Sequence, residues 1–427
     1  MNQQTKKPKS YSRWLTIFSL VFAGEMIFSL PFHVARFFRP TLLEVFQLTN
    51  TELGDVFAFY GIMAMLAYFP GGTLADKFSP RKLMTFSLLA TGLGGIYFAQ
   101  IPGQSGLFVL FGWWGVTTIF LFWAAMIKAT REWGGSLAQG KAFGFLDGGR
   151  GLVAAGAATI AVFILSSIMP DDITGMSDLE RRNALIAVIY FYTFLTMLAA
   201  ILSWFFISDE NSNPSLEKEN FLTGIKSILN KRVVWLQAII VVCAYSGYKA
   251  LDYYSLYGVD VLGMNELEAA QFVSNASYLR VVAAIGAGFI VDRFSASKVI
   301  LATFGLLIIS YLTLGVLAPG NNLTNLILGN IIFTFIAVYA LRGVYFALLQ
   351  ETKISVGLTG TAVGLISVIG YTPDAFFNSL AGRILDASPG LEGYQHFYFV
   401  LAAFSAIGML ATIMLTRTNT MQPKTKG

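Results

Sequence analysis

Gly72-Thr-Leu-Ala-Asp-Lys-Phe-Ser-Pro-Arg-Lys82 returns, 216 residues later, as Gly288-Phe-Ile-Val-Asp-Arg-Phe-Ser-Ala-Ser-Lys298. Gly, Asp, a basic residue, Phe, Ser and the closing Lys keep register in both copies. Each copy follows a long apolar run, so each reads as the turn after the second hydrophobic segment of its half. A weaker echo sets Glu132 and Gly144 against Glu351 and Gly364. Two halves built alike in the same orientation imply a pseudo-twofold axis along a membrane normal.

The membrane follows from composition. Of 427 residues, 55% are hydrophobic and 12% charged, and the mean hydropathy is +0.64. A soluble domain carries about 25% charged residues. This chain has too few to cover itself in water, so lipid must cover it. The 37 phenylalanines suit lipid contact, and the 41 glycines suit close approach of helices. Segments of roughly 20 mainly apolar residues are long enough to span. They fall at 14–37, 53–75, 83–101, 106–130, 142–169, 183–207, 233–257, 268–291, 298–318, 323–347, 359–380 and 396–416. The reading is an all-α membrane protein of twelve transmembrane helices in two pseudo-symmetric six-helix bundles. Residues 1–207 and 233–427 form the bundles. A polar cytoplasmic linker, 208–232, joins them, with a short amphipathic helix near Phe221–Leu229.

Lys and Arg set the orientation. With the N-terminus inside, 20 of the 29 fall in cytoplasmic segments and 5 (Arg36, Arg39, Arg181, Arg182, Arg383) outside. Both termini are therefore expected in the cytoplasm, and the net charge of +5 reports topology and gives no reason to invoke nucleic acid. A single cysteine, Cys243, excludes an internal disulfide. With two histidines, His33 and His396, no metal site is expected. The basic, polar start and the long first apolar run read as a retained span with no cleaved leader.

At the repeated loops the sequence resembles the major facilitator superfamily. The signature of that family after span two is G-x-x-x-D-[RK]-x-G-[RK]-[RK]. Gly72, Asp76, Lys77, Arg81 and Lys82 fit it, with Ser79-Pro80 in place of a glycine. Gly288, Asp292 and Arg293 fit in the second half, where Lys298 is what remains of the basic pair. The pattern Asp76-x-x-x-Pro80-Arg81, with Arg36 late in span one, also resembles the organophosphate:anion antiporter branch and its relatives. The resemblance implies secondary transport by alternating access, with substrate contacts on the first helices of each half. In physical terms, Gly72 lets two helices approach. Asp76, at the end of span two, can accept hydrogen bonds from a helix N-terminus or an arginine across the half interface. That gives a charged latch made in one state and broken in the other. Lys77, Arg81 and Lys82 read equally as a basic cytoplasmic turn.

Ionisable residues inside spans are costly and mark cavities or ion pairs. Arg280 lies twelve residues before Asp292, roughly 18 Å from the end of its helix, so it is expected near the midplane and facing a cavity, or in a structural ion pair. Arg342 in span ten has the same two readings. Arg150 and Asp147 share a face in the run F-G-F-L-D-G-G-R-G, as do Lys249 and Asp252 in Y-S-G-Y-K-A-L-D-Y-Y. The 216-residue offset sets His33 against Lys249 and Arg36 against Asp252. Glu25, Ser29, His33 and Arg36 fall along one face of span one. Arg36 is either a substrate contact or an interfacial arginine beside Arg39, and His33 either a contact or a packing histidine. Glu25 and Asp374 are candidate proton carriers. Tyr60, Trp123, Tyr248 and Tyr371 line the cavity or pack.

Deep basic groups outnumber deep acids. The expected substrate is a small organic anion: a sugar acid, a carboxylate or a phosphorylated metabolite. A proton gradient or anion exchange would drive it, with lipid as the other partner, a monomer as the unit and no cofactor. Efflux of an amphipathic drug or lipid, and a non-transporting sensor on the same fold, are the alternatives. No Walker A pattern and no nucleophile–histidine–acid set is found, so neither ATP drive nor an enzyme is expected.

Overall fold

The computed structural model describes residues 10–135, 139–170, 175–209, 228–320, 323–351 and 359–421. Those residues are helical with short turns, and no strand occurs among them. Labelled after the expected segments, the units are α1 (Arg13–Met26 and Ser29–Phe37), α2 (Asn50–Lys77), α3 (Pro80–Phe98), α4 (Gln104–Gly134), α5 (Ala142–Ile168) and α6 (Asp178–Phe206). The second set is α7 (Arg232–Asp260), α8 (Glu266–Arg293), α9 (Ala296–Val316), α10 (Leu323–Ala347), α11 (Thr359–Gly370 and Pro373–Ala387) and α12 (Leu391–Thr418).

Eight of these are long and apolar enough to cross a membrane unbroken, and α1 and α2, each bent, bring the number to ten. The two others fall short of that measure for visible reasons. α3 spends its first turn on Arg81 and Lys82, and α11 is broken at Tyr371–Thr372 into pieces of 12 and 15 residues. The centre of the expected linker and most of its short helix, 210–227, lie outside the described residues, as do Lys6, Lys7, Lys9, Asp171, Lys218, Lys226, Lys353, Lys424 and Lys426. The division of the chain at 208–232 therefore stays an expectation.

The helix starts repeat the internal symmetry. Thr49 caps α2 in a capping box with Glu52, and Asn265 caps α8 with Glu268, again 216 residues on. Ser177 and Glu180 cap α6 in the same way. In each, a side-chain oxygen accepts an orphan backbone N–H while the glutamate reaches back to the cap. The outer faces carry bare apolar side chains: Val109, Phe163, Phe205, Val282 and Phe289 are all about seven-tenths exposed. Patches of that kind are unfavourable in water. The interior holds the charges: Glu25, Arg36, Arg39, Arg150, Lys249, Asp252 and Arg280 are buried.

The most extensive packing between the halves is in two helix pairs, α2 against α11 and α5 against α8. They are related to each other by the same pseudo-symmetry. Along α2 and α11 the backbones touch. A Cβ on Gly54 would strike the backbone of Asn378, one on Gly61 the backbone of Asp374 and Ala375, and one on Gly382 the backbone of Asn50. Polar bonds close the same end of the molecule. Asp386 accepts from the N–H groups of Asn50 (3.2 Å) and Thr51 (2.7 Å). Asp55 accepts from Ser379 and is 2.7 Å from Arg383. Glu266 accepts from Thr41 (2.5 Å) and Arg181 (2.9 Å).

The end that carries the two repeated loops is splayed. Among the described residues, no atom from outside the glycine's own stretch of helix lies within 4 Å of a Cβ placed on Gly72, Gly144, Gly148, Gly286, Gly288 or Gly364. The close approach expected at Gly72 is therefore absent in this state and occurs instead at Gly54 and Gly61 of the same helix. The latch expected at Asp76 is unmade. Asp76 and Asp292 are exposed, and neither has a hydrogen-bond or ion-pair partner among the described residues, while Lys77 and Arg293 are exposed beside them. Arg81 turns within its own half onto Asp209 at 2.5 Å, where the Ser79 hydroxyl also donates at 2.6 Å. That hydroxyl first, and then the Arg81 charge, hold the Asp209 carboxyl below its ordinary range.

Candidate functional site

Two helices are re-aimed toward the space between the halves. In α1 the chain passes through a π turn at Ser29–His33 around Pro31, with a 40° bend, and in α4 through another at Thr117–Trp123. Proline removes a helical hydrogen bond, and wide turns of this type recur at functional sites. The turns deliver Phe32 and His33, and Ile119 and Trp123, to one cavity of about 800 Å³, its mouth included. Glu25, Arg36, Tyr60, Arg150, Tyr248, Lys249, Arg342, Tyr371 and Asp374 also line it.

Two charge clusters surround the cavity, one on Glu25 and one on Asp252 and Asp374. Glu25 receives Arg150 at 3.0 Å, His33 at 3.2 Å and, across the halves, Arg280 at 3.3 Å. Arg36 Nε meets Asp252 at 2.5 Å, and its Nη1 donates to the Tyr248 hydroxyl at 2.8 Å. Lys249 bridges Asp252 (3.4 Å) and Asp374 (3.3 Å), and Tyr245 donates to Asp374 at 3.1 Å. These pairings explain how so many charges persist at depth, since a buried ion is retained when a partner compensates it.

Arg342 is different. Its guanidinium carbon sits 3.7 Å over the Tyr248 ring, and its Nη1 is buried with no hydrogen-bond partner. Aromatic rings line the same cavity: Tyr68, Tyr245, Tyr371, Phe28, Phe32 and Trp123. Most of the hydroxyls there are already engaged. Tyr60 bonds with Thr118 at 2.7 Å, and Tyr345 with Tyr371 at 3.3 Å.

The expected site residues thus come together, with two differences of place. Arg280, expected either to face the cavity or to stand in a structural ion pair, does not line the cavity and is in an ion pair. The bare Gly151 on α5 leaves room for its stem, so the side chain reaches past α5 onto Glu25. Asp147 stands three-quarters exposed, 3.8 Å from Arg150. The loop residues from Gly72 to Arg81 and from Gly288 to Arg293 belong to the splayed end, apart from this site. Tyr68, Tyr245, Phe28 and Phe32 were not singled out from the sequence. Only their fall on the inward faces of α1, α2 and α7 marks them. Among the described residues no group of three His, Cys, Asp or Glu side chains is placed to hold a metal ion.

A family model, the Major Facilitator Superfamily, matches residues 17–372. The chain belongs to the Major Facilitator Superfamily. Relatives within it include inner membrane protein YqcE of Escherichia coli, 30% identical over 94% of this chain and 93% of its own. Inner membrane protein YihN of the same organism is 30% identical over 95% and 96%. A probable nitrate/nitrite antiporter of Thermus thermophilus, NarK1, is 24% identical over 94% and 91%. Among solved superfamily structures, a variant of the nucleoside transporter NupG superposes with a TM-score of 0.73 at 12% identity, covering 94% of this chain and 99% of that one. A bacterial homologue of the lysosomal transporter Spinster, inward-facing and unoccupied, gives 0.72 at 14%, covering 99% and 100%. At these identities the superpositions establish the fold. The chain has the architecture of a superfamily transporter, and two of its relatives, YqcE and YihN, are named inner membrane proteins.

Proposed function

We propose that this superfamily member is a secondary active transporter that carries a small organic anion across the inner membrane by alternating access, coupled to protons or to a counter-anion. The observation that carries this reading is Arg342, a guanidinium held at a cavity wall with a buried Nη1 that no protein group satisfies. A deep cation is costly by about 2.5–3.5 kcal/mol on insertion scales, and an anionic ligand would offset that cost. Arginine's planar fork suits a carboxylate or phosphate. Arg36, Arg150 and Lys249 line the same space, each already paired with a carboxylate, so Arg342 supplies its unpaired positive charge. The relative named as a nitrate/nitrite antiporter is consistent with anion transport on this scaffold.

With both termini cytoplasmic, the splayed loop end faces inward, and the α2–α11 seam is the closed outer gate. The cavity is then open to the cytoplasm. Lys249 and Asp374, which share a contact at the cavity wall, are the pair on which protonation would act.

The test is the melting temperature of the purified protein against panels of anionic, neutral and cationic metabolites. Anions alone should raise it. A response confined to neutral or cationic compounds overturns the reading and favours efflux of an uncharged amphiphile. Uptake into liposomes under a pH gradient, or against an internal anion, then separates the two modes of coupling.

A further inference from the structure

Charges around the cavity can be paired one by one. Arg36 and Lys249 face Asp252 and Asp374, at 2.5, 3.4 and 3.3 Å. Arg150 and Arg280 face Glu25, at 3.0 and 3.3 Å, and the exposed Asp147 stands 3.8 Å from Arg150. Four cations thus meet four carboxylates, and Arg342 is left over. Its flat face is taken by the Tyr248 ring and its Nη1 is buried without a partner among the described residues, so a ligand in the cavity meets the remaining edge of the group. The rings of Tyr68, Tyr371 and Trp123 line the same cavity.

We infer that the cavity selects a monocarboxylate, with Arg342 as its one anchoring cation and the aromatic walls holding a ligand body that presents a ring or C–H face. This rests on the anion-transport reading and narrows it. A carboxylate brings one charge and a planar pair of acceptors, which match one arginine edge. A phosphate monoester brings nearly two charges near neutral pH. Its second charge has no free cation to meet unless Arg36, Arg150 or Lys249 abandons a buried carboxylate, which would then stand uncompensated. The same pairing makes Arg342, among the cations that line the cavity, the one that the empty protein stabilises least. It is retained for the ligand at the expense of stability, as functional groups often are.

The inference has a readout that needs no ligand. Arg342→Gln should melt no lower than the wild type, whereas Arg150→Gln, which strips Glu25 of its nearest partner, should melt lower. A drop in Arg342→Gln as deep as that in Arg150→Gln overturns the inference, because it means that a protein partner already holds Arg342. The second readout is calorimetric titration of the full-length protein with matched probes: benzoate against phenyl phosphate, glucuronate against glucose 1-phosphate, with benzyl alcohol and glucose as neutral analogues. At least one carboxylate should bind more tightly than its phosphate partner. Arg342→Gln should weaken that binding by about tenfold or more, the loss expected for charge-assisted hydrogen bonds. Equal or tighter binding of the phosphates overturns the monocarboxylate assignment and leaves anion transport standing. A response to the neutral analogues alone overturns both. Failure of both carboxylates, or carboxylate binding untouched by Arg342→Gln, overturns the role given to Arg342.

Discussion

Arg36 and Asp252 are 216 residues apart and 2.5 Å apart. That sequence separation is the offset of the repeated loops, so an arginine of one half is paired with the residue at its own equivalent position in the other. Positions close to a pseudo-twofold axis meet their own counterparts. In this chain duplication has been followed by divergence to opposite charges, and the result is a salt bridge across the closed end of the cavity. His33 and Lys249 are equivalents too: His33 joins the Glu25 cluster, and Lys249 contacts Asp252 itself.

The Arg36–Asp252 pair is exchangeable in principle, because symmetry makes the two positions alike. Arg36→Asp or Asp252→Arg alone places like charges together at depth and should cost about 3–5 kcal/mol of stability, the range for breaking a buried pair. The double exchange should recover a clear part of the lost melting temperature. A double variant no more stable than the weaker single variant would show that the Tyr248 and Lys249 contacts, and not the pair itself, decide the geometry.

The α2–α11 seam depends on missing side chains. Gly61→Ala sets a methyl against the backbone of Asp374 and Ala375, which cannot yield as a side chain can. Overpacking of this kind costs about 1–3 kcal/mol, and here the cost falls on the state in which this end is closed. Transport by Gly61→Ala in liposomes should be strongly reduced. Gly329→Ala, on an exposed face of α10 with open space around it, should transport normally. Normal transport by Gly61→Ala would mean that the seam is not needed in the cycle.

Asp76 has no partner in the splayed state, so Asp76→Asn should leave melting temperature and ligand affinity unchanged here. Transport should still fall, because the opposite state, with the loop end closed, is where the carboxylate would find its helix N-terminus or arginine. An unaltered transport rate with unaltered affinity would remove the latch from the mechanism.

Orientation rests on the basic bias and is directly testable. Ser177→Cys should react with an impermeant thiol reagent added to intact cells, and Ser212→Cys should not. Native Cys243 is buried and should stay silent. The reverse pattern would turn the molecule over and make the splayed end external.

The helical membrane fold was legible because it depends on local quantities. Apolar length, scarcity of charge and the repeated loops are properties of the chain itself, and they led to the superfamily that residues 17–372 match. The candidate charges were legible for a related reason: an ionisable residue inside an apolar run stands out wherever it points. The offset even set Arg36 against Asp252 before any contact was known. What the sequence leaves open is partnership. Nothing local states that Arg280 would turn onto Glu25 and leave the cavity wall, that Asp209 would take Arg81, or that Gly61, and not Gly72, would be the point of close approach. Those outcomes depend on which helices touch, and in a protein that rocks between two states they also depend on which end is closed. The surplus of Arg342 belongs to the same class. A sequence counts charges, and only the folded chain shows which of them have already been neutralised by a neighbour from another helix.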